Sequence, residues 1–319
     1  MENKKNLTTL LNKNISLTSD HYYILKENNS KQIFTQSVTD IIEGHFKEFD
    51  ADLISKSLAK YASKYKGMDP YDIRQEWEKK KVHGSKVHTQ IEKYILSNKK
   101  PSFKQSKVGA EWFNNNCKKY GEEYYPEVKV FSEEHKIGGT VDLLIYNKEK
   151  DGCYIFDWKT SGSDIHKSKG KGITSVTSDL KDCKYTTYEL QLSMYKYLLQ
   201  EIHDIKIINH FVVHLKDSTA DLLKTKYYKS HCIKMLKDLP DEDDYDEDYY
   251  DNGYDEEDYN KEKDYNYLDF SPIKPSTRKV YHPTPMHKFV VWWESSEILA
   301  PILFWGVFYL VFYMWIKNC

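Results

Sequence analysis

Gly139-Thr140-Val141-Asp142-Leu143-Leu144-Ile145-Tyr146, then Asn147-Lys148-Glu149-Lys150-Asp151-Gly152, then Cys153-Tyr154-Ile155-Phe156-Asp157-Trp158-Lys159, is the stretch that decides the fold. Two apolar runs flank a polar loop that ends in Asp-Gly, the pattern of a β-hairpin. A symmetric hairpin pairs Tyr146 with Cys153 and Leu144 with Ile155, so Asp142 meets Asp157. Directly opposed residues share one face of a sheet, and like charges placed there are destabilising. A divalent cation removes that penalty, and hard carboxylate oxygens beside a phosphate select Mg²⁺ or Mn²⁺. Lys159 lies two residues past Asp157 and so on the same face. There its ammonium can hold a water or offset charge on a phosphate.

Working outward, Glu127–Ser132 and 205–215 read as further strands, and 52–66, 70–96 and 188–201 as helices. Asp69-Pro70 is a helix start, with Pro in the first turn. Val87, Ile91 and Ile95 mark the core face of the second helix, with His88 alongside. His88 either completes a metal shell through a ring nitrogen or is an ordinary boundary residue. Glu127 is either a metal ligand, directly or through water, or a solvated strand carboxylate. Gln191 and Tyr195 stand one helical turn apart beside the core stripe Leu190, Met194 and Leu198. They either bond a phosphate oxygen or hold Lys159, or they are plain boundary residues. The long segment 162–184 carries Lys167, Lys169 and Lys171 and reads as a mobile flap on nucleic acid or as a solvated insertion.

Charge divides the chain unevenly. The net charge of -2 over 319 residues conceals an acidic run at 238–264, which holds 15 of the 49 Asp and Glu and two of the 47 Lys and Arg. The remainder carries a formal excess of +11, which suits a polyanionic partner. Tyr, Lys and Asn are heavily used and Arg occurs only as Arg74 and Arg278, as in proteins of AT-rich genomes. The five cysteines form no CxxC pair, so neither a zinc site nor a disulfide framework is expected. The Lys- and Asn-rich start lacks the apolar segment of a signal peptide.

These features divide the chain into a flexible stretch at 1–20, one α/β domain at 21–237, an acidic and Pro-containing linker at 238–288, and an apolar tail at 289–319. Residues 298–316 run without a charge, long enough to span a bilayer, with Trp292, Trp293 and Trp315 as interfacial aromatics. The expectation is a C-terminal transmembrane anchor that leaves the domain on the cytosolic side. The acidic Tyr-rich run reads as a solvated spacer, as a DNA mimic over the basic surface, or as a site of tyrosine phosphorylation.

Gly84-Ser85-Lys86-Val87-His88, Glu127, Gly139-x-x-Asp142, Asp157-Trp158-Lys159 and Gln191-x-x-x-Tyr195 together resemble the RecB-type branch of the PD-(D/E)XK nucleases, which includes the lambda exonuclease-like enzymes. The resemblance spans roughly 65–215, and the stretch from Asp182 to Tyr195 is similar to versions in large DNA viruses and phages. It implies a restriction-endonuclease-like core, a central mixed β-sheet flanked by helices. It implies metal held by Asp142, Asp157, His88 and the main-chain carbonyl of Trp158, with Lys159 positioning the attacking water. Gln191 and Tyr195 would contact DNA or orient the centre, an element that in this branch often accompanies cleavage from DNA ends. Some relatives carry a four-cysteine iron–sulfur cluster. Only Cys232 and Cys319 follow Gln191 here, so that cluster is not expected. The expected activity is a metal-dependent, end-processing deoxyribonuclease, with RNA not excluded as a substrate. The alternative is a catalytically inactive nucleic-acid-binding module anchored at a membrane.

Overall fold

The computed structural model describes residues 2–18, 21–27, 30–162 and 164–239. Most of the acidic linker, the Pro-containing connector and the apolar tail with Cys319 lie outside the described residues. Among the described residues, no helix is long and apolar enough to cross a membrane.

In chain order the elements are α1 (Glu2–Leu11), β1 (Ile15–Leu17), β2 (Tyr23–Glu27), β3 (Ser30–Phe34), β4 (Gln36–Ser37), α2 (Val38–Gly44), α3 (Ala51–Tyr61), α4 (Pro70–Ser97), α5 (Lys104–Asn116), β5 (Glu123–Ser132), β6 (Ile137–Asn147), β7 (Gly152–Lys159), α6 (Lys184–Tyr197), β8 (Ile207–Leu215), β9 (Ala220–Lys224) and α7 (Lys229–Lys237). A π turn, Leu198–Ile202, extends α6. β1, β2 and β3 make a small antiparallel sheet. The main sheet has six strands and is mixed: β5–β6, β6–β7 and β8–β9 are antiparallel, while β4–β6 and β7–β8 are parallel.

Strand alternation sends residues to two apolar layers. Leu143, Ile145, Tyr154, Phe156 and Trp158 pack with Val87 and Ile91 of α4 and Trp112 of α5. Leu144, Cys153 and Ile155 pack with Leu190, Met194 and Leu198 on the α6 side. The sheet is thus flanked by helices, as expected from the sequence. α4 begins as read: Asp69 caps it, its side chain accepting from the Tyr71 N–H at 2.7 Å, with Pro70 in the first turn.

Two expectations need correction. Residues 2–18 are not a loose start: α1 buries Leu7 and Leu10, and its Asn3 amide side chain reaches the Asp151 carbonyl oxygen and accepts from the Lys206 N–H. Segment 164–184 is not a solvated insertion. Ile165, Val176 and Leu180 are buried, Lys171 and Lys181 form a β-bridge, and Thr177 Oγ1 donates to the His45 carbonyl. In both, a few apolar residues spaced among polar ones anchor the chain.

Candidate active site

The β6–β7 register is the one read from the hairpin, Tyr146 against Cys153 and Leu144 against Ile155. The ladder ends at Leu143 and Phe156, and Asp142 and Asp157 are the next residue beyond it on each strand. There the strands part, and farther along β6, at Ile137 and Gly138, its neighbour is β4. The Trp158 N–H, past the ladder, donates instead to Asp142 Oδ2 at 2.8 Å. The Trp158 ring locks this backbone by burial against Trp112, 5.6 Å between centroids. The parting of the strands therefore creates a buried notch containing both acids, with Asp157 2% exposed and Asp142 9%.

Glu127 joins them from β5, between Pro126, which pairs with Leu143, and Val128, which pairs with Val141. Its φ is +55°, left-handed backbone that costs a non-glycine residue about 1 kcal/mol or more. Lys129 Nζ lies 3.6 Å from its carboxylate. From α4, His88 Nδ1 approaches Asp142 Oδ2 to 3.3 Å. Lys159 Nζ lies 2.8 Å from Asp157 Oδ2, yet that oxygen is a buried atom without a properly directed hydrogen bond. The contact is an ion pair, out of line for a hydrogen bond. Nζ instead donates to Gln191 Oε1 at 2.9 Å, and Gln191 Nε2 donates to the Tyr195 hydroxyl at 2.9 Å. Gln191 and Tyr195 thus form a relay onto Lys159. Tyr195 fits because position 139 is glycine: a Cβ there would lie 2.5 Å from Tyr195 Cε1.

The electrostatics follow from burial and crowding. Burial pushes the Asp157 carboxyl up to about 6, Lys159 pulling it back and Asp142 adding to the rise. Glu127 is pushed up to about 7, first by burial and then by Asp142. Asp142 goes the other way: burial raises it, but the His88 and Lys159 charges and the bonds from His88 and the Trp158 N–H hold it below its ordinary range. Burial lowers His88 and Lys159, and the neighbouring acids overcome it, so both are held above their usual values. Three acids from three adjacent strands thus share one low-dielectric notch, and two of them resist ionisation there.

This donor set suits a hard divalent cation: carboxylate oxygens, one imidazole, and a buried Asp157 Oδ2 lacking a hydrogen bond. The fit is by chemistry and adjacency. Among the described residues no three His, Cys, Asp or Glu side chains are already drawn together as a ligand cluster, and the Lys159 ammonium occupies the space against Asp157.

A stretch of 85 residues is 34% identical to part of one subunit of the ATP-dependent helicase/nuclease from Carboxydothermus hydrogenoformans. That stretch is 27% of this chain and 6% of the relative, so the chain spans a small part of that protein's length. No family model matches the chain. The crystal structure of SSO0001 aligns with 74% of this chain and 82% of that one, at 15% identity and a TM-score of 0.30.

The sequence reading missed Tyr188. Lys159 Nζ lies 4.7 Å from its ring centroid, an ammonium over an aromatic face. The signal was present, since 188, 191 and 195 follow an i, i+3, i+7 spacing along one face of α6. Ser161 was also missed. It lies just beyond β7, and Lys184 Nζ donates to its Oγ at 2.8 Å.

Proposed function

We propose that this chain is a metal-dependent nuclease of the PD-(D/E)XK type that hydrolyses DNA phosphodiester bonds, working from strand ends. The observation that carries it is the crowding of buried acids just past the β6–β7 ladder: Asp142 with His88 3.3 Å away, Asp157 with Lys159 2.8 Å away, Glu127 close enough for Asp142 to raise it, and Lys159 held by Gln191. The basic excess outside the acidic run supports it, as does the partial likeness to a helicase/nuclease.

Asp142, Asp157, Glu127, His88 and the Trp158 carbonyl would hold one or two Mg²⁺ or Mn²⁺ ions. A bound divalent cation supplies Lewis-acid charge at the scissile phosphate and lowers the pKa of water. Lys159 donates from Nζ to the attacking water and to a phosphate oxygen, where its charge counts most in a site closed to solvent. Gln191 fixes the direction of that ammonium, and Tyr195 fixes Gln191. As the water oxygen bonds to phosphorus it releases a proton to solvent, the P–O bond to the leaving strand breaks, and the leaving oxygen takes up a proton from solvent. Residues 298–316 would tether the enzyme to a membrane, with its domain on the cytosolic side.

One observation favours the inactive binding module instead: Lys159 already neutralises Asp157 at 2.8 Å. Cleavage of linear, circular, single-stranded and double-stranded substrates by the purified chain separates the two readings. The nuclease cuts with Mn²⁺, stops in EDTA, and loses activity in Asp157→Ala and Lys159→Ala while still binding DNA. Full activity in either variant rules the mechanism out. Removing 289–319 should move the protein from membrane to soluble fractions.

A further inference from the structure

α4 is 28 residues long. Trp77, Lys81, Gly84 and His88 follow one another at spacings of four, three and four, so they lie along one face of it. The face that brings His88 to Asp142 therefore runs outward, past the close approach of Gly84 to Thr160, to Trp77. Eleven residues of helix place Trp77 about 16 Å along the axis from His88.

At that outer end Trp77 meets Phe49 edge to face, with centroids 5.2 Å apart and planes at 67°. Phe49 is 53% exposed, and Leu53 beside it 59%. The helix that follows Phe49 is fixed at two points. Asp50, the next residue, caps α3 by accepting from the Leu53 N–H at 2.8 Å. Arg74 of α4 clamps α3 by donating to Ser55 Oγ at 3.0 Å and pairing with Asp52 at 2.9 Å. This is an aromatic face kept open to solvent on rigid supports.

Lysines connect it to the notch. Lys169 Nζ lies 5.6 Å from the Phe49 centroid. Lys184, whose Nζ bonds Ser161 two residues past Lys159, is held below its usual value by burial and then by the charges of Lys169 and Lys80. Lys169 and Lys47 both act on the half-buried Asp182. Lys169 thus stands at Phe49 and Lys184 beside Ser161, two residues past Lys159, with Lys169 and Lys80 both within electrostatic reach of Lys184.

Ammonium groups in a row track a phosphate backbone, and an exposed aromatic ring among them stacks a base. A duplex keeps its base faces covered by neighbouring pairs, so only an unpaired strand offers a face to Phe49. We propose that Phe49, Trp77 and Lys169 form a stacking platform for a single strand of nucleic acid, with Lys80 and Lys184 guiding its phosphates toward Asp142 and Asp157. This inference rests on the nuclease reading and names its substrate: a nucleic acid with an unpaired end.

The test is fluorescence anisotropy with the full chain in mild detergent and EDTA, which keeps the strand intact. The probes are a labelled oligothymidylate and a blunt hairpin duplex of equal total length. Phe49→Leu and Trp77→Leu should each bind the single strand about tenfold more weakly, with duplex binding nearly unchanged. Phe49→Tyr and Trp77→Phe should retain wild-type affinity, which separates stacking from a folding defect. Unchanged single-strand affinity in both leucine variants would overturn the platform, as would an equal loss on the duplex. Either result from a wild type that cleaves discards the platform alone. A wild type that neither binds nor cleaves discards the nuclease reading with it.

Discussion

Gly139→Ala should cost this fold about 3 kcal/mol, because one added carbon strikes the relay that holds Lys159. A Cβ at this position would lie 2.5 Å from Tyr195 Cε1, 3.3 Å from Cδ1 and 3.2 Å from Val38 Cγ2. Carbon atoms rest about 3.5–4.0 Å apart, so the ring must retreat by about 1 Å. Tyr195 is 3% exposed and packed in the core, where forced repacking costs about 1–3 kcal/mol. The retreat also strains the bond from Gln191 Nε2 to the Tyr195 hydroxyl, a further 1 kcal/mol or so. For a domain of this size a loss of that order lowers Tm by about 6–12 °C. Urea unfolding followed by tryptophan fluorescence, with a thermal melt beside it, reads both quantities. Tyr195→Leu removes the clashing ring edge, so the double variant should show a coupling of about 1 kcal/mol or more in a double-mutant cycle. Gly139→Ala within about 0.5 kcal/mol of wild type, or strictly additive changes, would refute the reasoning.

Leu7→Ala should destabilise the whole domain by about 2–5 kcal/mol, since its side chain is fully buried; a dispensable N-terminus would show almost no change in urea unfolding. Gln191→Leu should lower kcat by about a hundredfold with little effect on folding, because the Lys159 ammonium loses its direction; single-turnover cleavage measures it. His210 is buried, its Nδ1 bonded to Thr225 Oγ1. Burial, then Lys196 and Lys224, pushes its folded value from 6.5 down to about 4. Its contribution, roughly 3 kcal/mol, is present above pH 6.5 and lost as pH falls from 6.5 toward 4. His210→Asn should flatten the fall in stability over that window, read as the difference between the two pH profiles.

The hairpin was legible in the sequence because a short loop and strict alternation leave one register that buries both apolar faces. α4 was legible from Asp69-Pro70 and the Val87, Ile91, Ile95 stripe. Other elements lacked such local marks. α5 starts at Phe103 with no side-chain cap, and its hold on the fold is a remote one, Gln105 donating to the Leu215 carbonyl at 2.9 Å. α1 carries two buried leucines among polar residues, with partners as distant as Lys206. In the candidate site, the register from Tyr146–Cys153 to Leu143–Phe156 was legible, and it brings Asp142 and Asp157 to the end of the ladder. The left-handed turn at Glu127, the bond from the Trp158 N–H to Asp142 and the order of the relay, Lys159 to Gln191 to Tyr195, depend on where strands part. No local pattern encodes that.

Counting bound Mn²⁺ by electron paramagnetic resonance in the purified full chain, alongside Asp142→Asn and Asp157→Asn, tests the shared-ion claim without relying on turnover. Wild type should bind at least one Mn²⁺ tightly, and each single substitution should abolish that binding while circular dichroism stays unchanged. Mn²⁺ binding that is equal in all three proteins, or absent from the folded wild type, would contradict it.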